Sequence, residues 1–324
     1  MPFTSLRTTL MAPWAPSLHA ALCLGLCLSV SACGGGKGSS PSADTNTGPV
    51  PVPSQSLSSQ SASISTLSCA PDAHLTNAGN ATLFNNTWNS AAAGTAAWTQ
   101  CLQSRTWPAT TATAATTQYG WRWSWPEAGG ALFAYPSVFV GAKPWEAGPG
   151  NDARFPLSLA AAQSLRLRFA AETTLTGSTS SRNLAASIWL IQTPQVAAPP
   201  VESDIKAEVM VWTDYTDDMV ANPGSTTPRG QFTDAQGITW DILADEHWGD
   251  ASGGTAHTWT YVAFHIRPGQ RTSAANIDLL AMLRHLVSLG LISNSLYIAD
   301  VELGNELVAG QGETWLSDFS VTAN

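Results

Sequence analysis

The chain has 324 residues, of which 14 are Lys or Arg and 23 are Asp or Glu, giving a formal net charge of -9 at pH 7. Charged residues make up 11% of it, against roughly 25% in an ordinary soluble domain, so Ser, Thr, Asn and Gln must finish the surface and ion pairs cannot account for its stability. With three lysines and an acidic balance, nothing would displace the counterions of a nucleic-acid backbone or of an anionic membrane, which excludes both as electrostatic partners and leaves an uncharged polymer. Fourteen tryptophans are more than a core needs; most belong inside, and the surplus suggests platforms for the apolar faces of sugar rings.

Residues 1–17 carry one basic residue, Arg7, and Leu18 to Val30 form an apolar run too short to span a bilayer comfortably, the pattern of an export signal. A start at Met11 would remove that basic residue and weaken the signal. Val30-Ser31-Ala32-Cys33 resembles the bacterial lipoprotein cleavage box. The resemblance implies loss of residues 1–32, a lipid on Cys33 and, with Gly34 rather than an acid next to it, anchoring in an outer membrane. Residues 33–68 are expected to be a flexible linker: the stretch is rich in Gly, Ser, Pro and Thr, has no aromatic residue, and buries too little apolar area to offset its ordering entropy. Cys23 and Cys27 leave with the signal and Cys33 takes the lipid, so Cys69 and Cys101 remain as an even pair in an oxidising compartment and predict a disulfide.

Residues 69–324 contain no further low-complexity break and are expected to form one domain. Alternation predicts strands over residues 119–125, with Tyr119, Trp121, Trp123 and Trp125 on one face, and over 131–140, interrupted at Pro136. Further strands are expected at 165–169, 183–192, 205–212, 259–266 and 296–303. One segment has helical spacing, with Ile277, Leu280, Leu283 and Val287 on a stripe, Ser273 or Asn276 to cap it and Gly290 to end it. Many strands and one short helix predict an all-β sandwich of two antiparallel sheets. Neither repeated strand–helix units nor a glycine-rich phosphate loop is present, which argues against a doubly wound fold.

In Ile205-Lys206-Ala207-Glu208-Val209-Met210-Val211-Trp212, period two sends Lys206, Glu208, Met210 and Trp212 to one face. An acid between apolar neighbours is costly to bury unpaired, so Glu208 is either partnered, with Lys206 or a distant Arg, or used. Asp300, Glu302, Gly304 and Glu306 also fall at period two. Two carboxyls facing each other on a tryptophan-lined sheet would serve glycosidic hydrolysis, one protonated to donate to the leaving oxygen and one ionised to attack or to activate water. From spacing alone Asp300 and Glu302 compete with Glu306 for the second role.

The residues also resemble glycoside hydrolase family 12, the compact endo-β-1,4-glucanases and xyloglucan hydrolases, over nearly all of residues 69–324. Cys69, Asn85-Asn86-Thr87-Trp88 and Cys101 resemble the family's Asn-Asn-x-Trp substrate strand bracketed by its disulfide, and the Trp-rich strand running on to Tyr135-Pro136-Ser137 is similar. Glu208-Val209-Met210-Val211-Trp212 resembles the nucleophile strand, Pro228-x-Gly230 and Gly237-x-x-Trp240-Asp241 follow in order, and Gly304-Asn305-Glu306 resembles the Gly-Thr-Glu signature. The resemblance implies a concanavalin-like β-jelly roll and a β-glucan as partner. Glu208 would be the nucleophile and Glu306 the acid/base of a retaining mechanism, with carboxyls about 5 to 5.5 Å apart. It further implies sugar contacts from Trp88, with Asn86, Trp121, Trp123, Met210, Trp212 and Pro228 behind it. No metal or other cofactor is expected, and the protein is expected to be a monomer.

Two positions depart from the pattern. Ser187, in Ala186-Ser187-Ile188-Trp189, stands where the family usually has an acid near the nucleophile, and Asp241 is a possible substitute. Asn305 replaces threonine beside Glu306. Residues 213–236, rich in Asp, Pro and Gly, are expected to be a loop edging the cleft. A carbohydrate-binding sandwich without catalysis is the rival reading; it would keep Trp88 and have no need of two opposed acids.

Overall fold

Alternating apolar and polar side chains dominate the chain, and it answers with strands. The computed structural model describes residues 61–78, 81–127, 130–146, 150–221 and 224–324. The expected signal peptide, Cys33 and the linker up to residue 60 lie outside the described residues. In chain order the strands are β1 (Ser63–Ser68), β2 (His74–Ala78), β3 (Ala81–Phe84), β4 (Thr99–Trp107), β5 (Thr116–Trp125), β6 (Ser137–Gly141), β7 (Leu157–Ser158) and β8 (Leu165–Ile191). They continue with β9 (Ile205–Tyr215), β10 (Thr227–Thr233), β11 (Thr239–Gly249), β12 (Thr258–Ile266), β13 (Ala274–Asp278), β14 (Tyr297–Ile298), β15 (Asp300–Gly304) and β16 (Leu307–Ala323). Two short α-helices, α1 (Asp217–Ala221) and α2 (Leu279–Ser288), interrupt them.

The strands form two layers joined by one ribbon. The first layer runs β1-β4-β5-β16-β8-β13 and the second β2-β3-β6-β15-β8-β9-β12-β11-β10. The 27 residues of β8 serve both: its first part pairs with β16 and β13, and Ala185 to Ile191 pair with β9, β15 and β14. Between the layers lies one core that includes Leu102, Trp121, Leu167 and Phe169 from the first and Val138, Ile188, Val209, Val211, Val262 and Leu303 from the second. The expected sandwich is the fold observed, with one difference in pairing: β9 and β12 run parallel. The β10–β11 hairpin occupies the sheet's outer edge, so β12 returns beside β9 in the same direction.

Three local expectations shift. The folded part begins before Cys69, because β1 pairs antiparallel with β4 from Ser63; its Ser and Thr content disguises an edge strand that leaves Ile64 exposed. The helix starts two residues after Ile277, which belongs to β13. Asp278 is the cap, accepting from the Ala281 N–H at 3.0 Å, and Gly290 ends the helix at φ 73°. Residues 213–236 are largely ordered as the end of β9, α1 and β10 rather than a loop.

Cys69 and Cys101 form the expected disulfide across 32 positions of chain. Around it Asn85, fully buried, donates through Nδ2 to the Ala70 and Gln100 carbonyls at 2.8 and 3.2 Å. Closing a loop of this length removes unfolded-state entropy worth about 3–4 kcal/mol. A Cys69→Ser/Cys101→Ser variant is therefore expected to lose about that much stability in denaturant unfolding; an unchanged midpoint would show the bridge to be thermodynamically idle.

Candidate active site

The second layer has one face turned away from the core, and the register of β9 puts Glu208 on it. Ala207, Val209 and Val211 are buried in the core, Lys206 and Glu208 are half-buried on the opposite face, and Ile205 packs in a second cluster with Trp189 and Trp259. Opposite Glu208 stand Trp189 on β8 and Tyr261 on β12. Two donors hold its carboxylate: Ser187 Oγ donates to Oε1 at 3.4 Å and Trp259 Nε1 to Oε2 at 3.2 Å. Trp145, Trp189 and Trp259 pack mutually at centroid distances of 5.1 to 5.5 Å, which fixes the Trp259 indole that reaches Glu208. Met210, buried one step along the face, accepts from the Tyr261 hydroxyl at 3.4 Å through its sulfur.

Glu306 lies just beyond β15, in a turn held by two asparagines. Its backbone N–H donates to Asn183 Oδ1 at 2.7 Å, and Asn183 Nδ2 donates back to the Glu306 carboxylate. Asn305 points away from the cleft. Its Oδ1 accepts from Trp121 Nε1 and Thr314 Oγ1, both at 2.8 Å, and its Nδ2 donates to the Asn183 carbonyl at 2.5 Å. A glycine is required before it, since a Cβ on Gly304 would sit 2.5 Å from the Pro136 carbonyl oxygen and 3.0 Å from the Tyr135 ring.

Burial and the nearby Glu306 charge push Glu208 up to about 8, against the hydrogen bonds from Trp259 and Ser187. Burial likewise pushes Glu306 up to about 7, against the Asn183 amide. Two repelling carboxyls lose their protons one after the other, so between the two losses the pair holds a single shared proton. Glu302 is taken by a different partner, Lys143 Nζ at 2.5 Å from Oε1, and Asp300 accepts the Trp189 N–H at 3.2 Å. Neither competes with Glu306 in this arrangement.

The remaining residues divide between cleft and core. Trp212 is on the Glu208 face, stacked on His265 at 4.3 Å, and burial lowers His265 to about 4, so that imidazole is neutral. Trp88 and Asn86 are half-buried just past β3, with Asn86 Oδ1 accepting the Trp88 N–H at 3.1 Å. Trp121 and Trp123 lie among the buried core residues, at 0% and 3% exposure, and offer no face to a sugar; the alternation that identified their strand did not say which face was inside. Pro228 is exposed at a bulge in β10, on the sheet's outer edge. Asp241 accepts from Gln231 Nε2 at 2.8 Å and lies 3.5 Å from Arg267, so it does not replace an acid at Ser187. Trp145, Trp259, Tyr261 and Asn183 were not foreseen as site residues, because only the folded register brings them to the two acids. Among the described residues no three His, Cys, Asp or Glu side chains cluster as metal ligands.

No family model matches the sequence. Endoglucanase S of Pectobacterium parmentieri is 25% identical over 268 residues, covering 80% of this chain and 88% of that protein. The family 12 xyloglucanase of Bacillus licheniformis superimposes with a TM-score of 0.63 at 22% identity, over 81% of this chain and all of that one (100%). The family 12 endoglucanase 3 of Trichoderma harzianum superimposes with a TM-score of 0.56 at 16% identity, over 81% and 98% of the two chains. The superpositions define the fold, and on that fold the chain carries a pair of carboxyls, Glu208 and Glu306. Its particular fold is that of glycoside hydrolase family 12, in agreement with the resemblance carried by the sequence motifs.

Both acids stand above their ordinary value of 4.5 in the fold. Their support for folding is complete below that value and is lost as pH rises through about 7 and 8. Glu208→Gln is thus expected to raise Tm over the parent by several degrees at pH 8 and hardly at all at about pH 4.5. Calorimetry at both pH values checks this, and a variant less stable than the parent at pH 8 contradicts it.

Proposed function

We propose that this protein is a retaining endo-β-1,4-glucan hydrolase acting on xyloglucan, cellulose-type or mixed-linkage glucan. The observation that carries the reading is the pair of repelling carboxyls, half-buried Glu208 on β9 and buried Glu306 just after β15, with Trp259 and Trp189 beside the first. In the reacting form the pair's single proton is on Glu306, so that Glu208, held by Ser187 and Trp259, attacks the anomeric carbon as the carboxylate while Glu306 protonates the departing glycosidic oxygen. The glycosyl ester so formed has no charge on Glu208, so the repulsion that kept the proton in the pair is gone. Glu306, now ionised, takes a proton from water, and that water releases the sugar with its configuration retained. Half-buried Trp88 stacks on a sugar ring, whereas Trp212, 6% exposed and covered by His265, supports the sheet beneath. The endoglucanase and xyloglucanase names of similar proteins support the substrate class.

Export, a lipid on Cys33 in the outer membrane and a monomeric enzyme on a flexible tether complete the proposal. Replacing Cys33 with Ala is expected to move the protein from the membrane fraction to the soluble fraction of the producing cell, with its glucanase activity intact; continued membrane retention would refute the anchor.

Glu208→Gln and Glu306→Gln are each expected to lower turnover on the order of 10³-fold while glucan binding persists. On xyloglucan, carboxymethylcellulose and barley β-glucan assayed side by side, NMR of the first product should show the β-anomer. First appearance of the α-anomer refutes the retaining mechanism. Binding without hydrolysis of all three favours the non-catalytic sandwich.

A further inference from the structure

Lys143 is one of three lysines in the chain, and it is buried, at 8% exposure, immediately beyond β6. Its Nζ lies 2.5 Å from Glu302 Oε1, where the two side chains are 7% and 1% exposed. The ammonium also sits over the rings of Phe84 and Phe139, at 4.9 and 5.1 Å. Ser137 Oγ donates to the other Glu302 oxygen at 3.0 Å. A fully dry ion pair of this kind returns little stability, since desolvating both charges offsets their attraction. In a chain so poor in charge its place is informative: Glu302 stands directly opposite Ser187 in the β15–β8 register, and Ser187 is the residue that donates to Glu208.

We propose that the Lys143–Glu302 ion pair is a positioning element for Glu208, a fixed charge couple whose negative end lies nearer the nucleophile. The inference rests on Glu208 being the nucleophile. The titratable groups that interact with Glu208 are Glu302 on β15, Glu306 after it, Tyr261 on β12 and Tyr135 before β6; Asp300 and Lys143 stand beside Glu302, and Lys206 lies two positions away on the same strand. Burial holds Tyr135 and Tyr261 far above their ordinary value, so both are neutral. Burial, then the Glu302 charge, raises Asp300 well above the carboxylate range, and a side-chain hydrogen bond to Glu302 favours the protonated form further. Burial pulls Lys143 down, but the charge of Glu302 and its hydrogen bond outweigh that and keep the ammonium charged. The couple therefore carries one charge of each sign, and Glu302 adds to the proton affinity of Glu208.

The sign of each substitution follows. Glu302→Gln removes the nearer negative charge and strands a positive one, so Glu208 should release its proton at lower pH. Lys143→Met strands the negative charge and should shift that release upward. The measurement is the titration of the Glu208 carboxyl by 13C NMR, alongside the acid limb of kcat/KM on a β-glucan. Shifts of about half a pH unit or more, opposite in direction for the two variants, support the proposal. Shifts in one direction for both, or unmoved titrations with a lowered Tm, would show a merely structural pair and overturn it. Should Lys143→Met not fold, Lys143→Met/Glu302→Gln carries the test: its Glu208 titration is expected between those of Glu302→Gln and the parent, and coincidence with the parent overturns the proposal. A parent protein that hydrolyses no β-glucan would instead refute the functional reading, with the Glu208 titration still readable.

Discussion

One pairing organises this molecule, the antiparallel ladder between β8 and β16, which runs from Ala323 opposite Leu165 to Leu307 opposite Arg182. Neither layer is complete without it, because β8 leaves the first layer and enters the second with no break in the chain. The part of β8 that crosses supplies Asn183 to Glu306 and Ser187 to Glu208, with Trp189 directly opposite Glu208. A single continuous backbone thus sets the spacing of groups that touch both acids. Positions along one strand are among the most rigid rulers a protein has, and a site built on strands is held more precisely than one built on loops.

The electrostatic economy of the cleft follows from that geometry. Few charges are present, and several of them are concentrated where water is scarce. Glu208 and Glu306 repel each other, Asp300 is neutralised by its surroundings, and Glu302 is balanced by Lys143. The exposed ion pairs elsewhere, such as Arg168 with Asp318, sit in water and contribute little to stability. Strain in the fold is accordingly local: the cleft is the region that an apolar or amide substitution would relax, as expected where chemistry and stability make opposing demands on the same side chains.

How much of this could be read from the residues differs from place to place. The strands were legible because period two is a strong signal, and Glu208 stood out as an acid in an otherwise apolar run. The competition between Glu302 and Glu306 was not resolvable, because the lysine that claims Glu302 is remote in sequence. Trp121 and Trp123 were misplaced for a related reason: alternation identifies a face without saying whether it looks inward, and their burial, with the hydrogen bond from Trp121 to buried Asn305, shows that it does. Asn305 itself looked like a polar neighbour of the acid, whereas it is the core-facing pin of the turn. The β1 strand was hidden by its serines and threonines, since an edge strand is stabilised by its ladder and needs no apolar side chains to form. Parallel pairing of β9 with β12 could not be read at all, because it depends on where an intervening hairpin goes.

That parallel pair has a consequence for how such a molecule can vary. The strand next to Glu208 on this side is β12, which brings Trp259 and Tyr261, while the β10–β11 hairpin lies farther out and touches neither carboxyl by hydrogen bond. Residues can be added to or trimmed from the outer part of that hairpin, widening or narrowing this side of the sheet, while the β8 and β12 neighbours of Glu208 stay where they are. Breadth of the sheet and the setting of Glu208 are thereby governed by different stretches of chain, and one can change without the other being rebuilt.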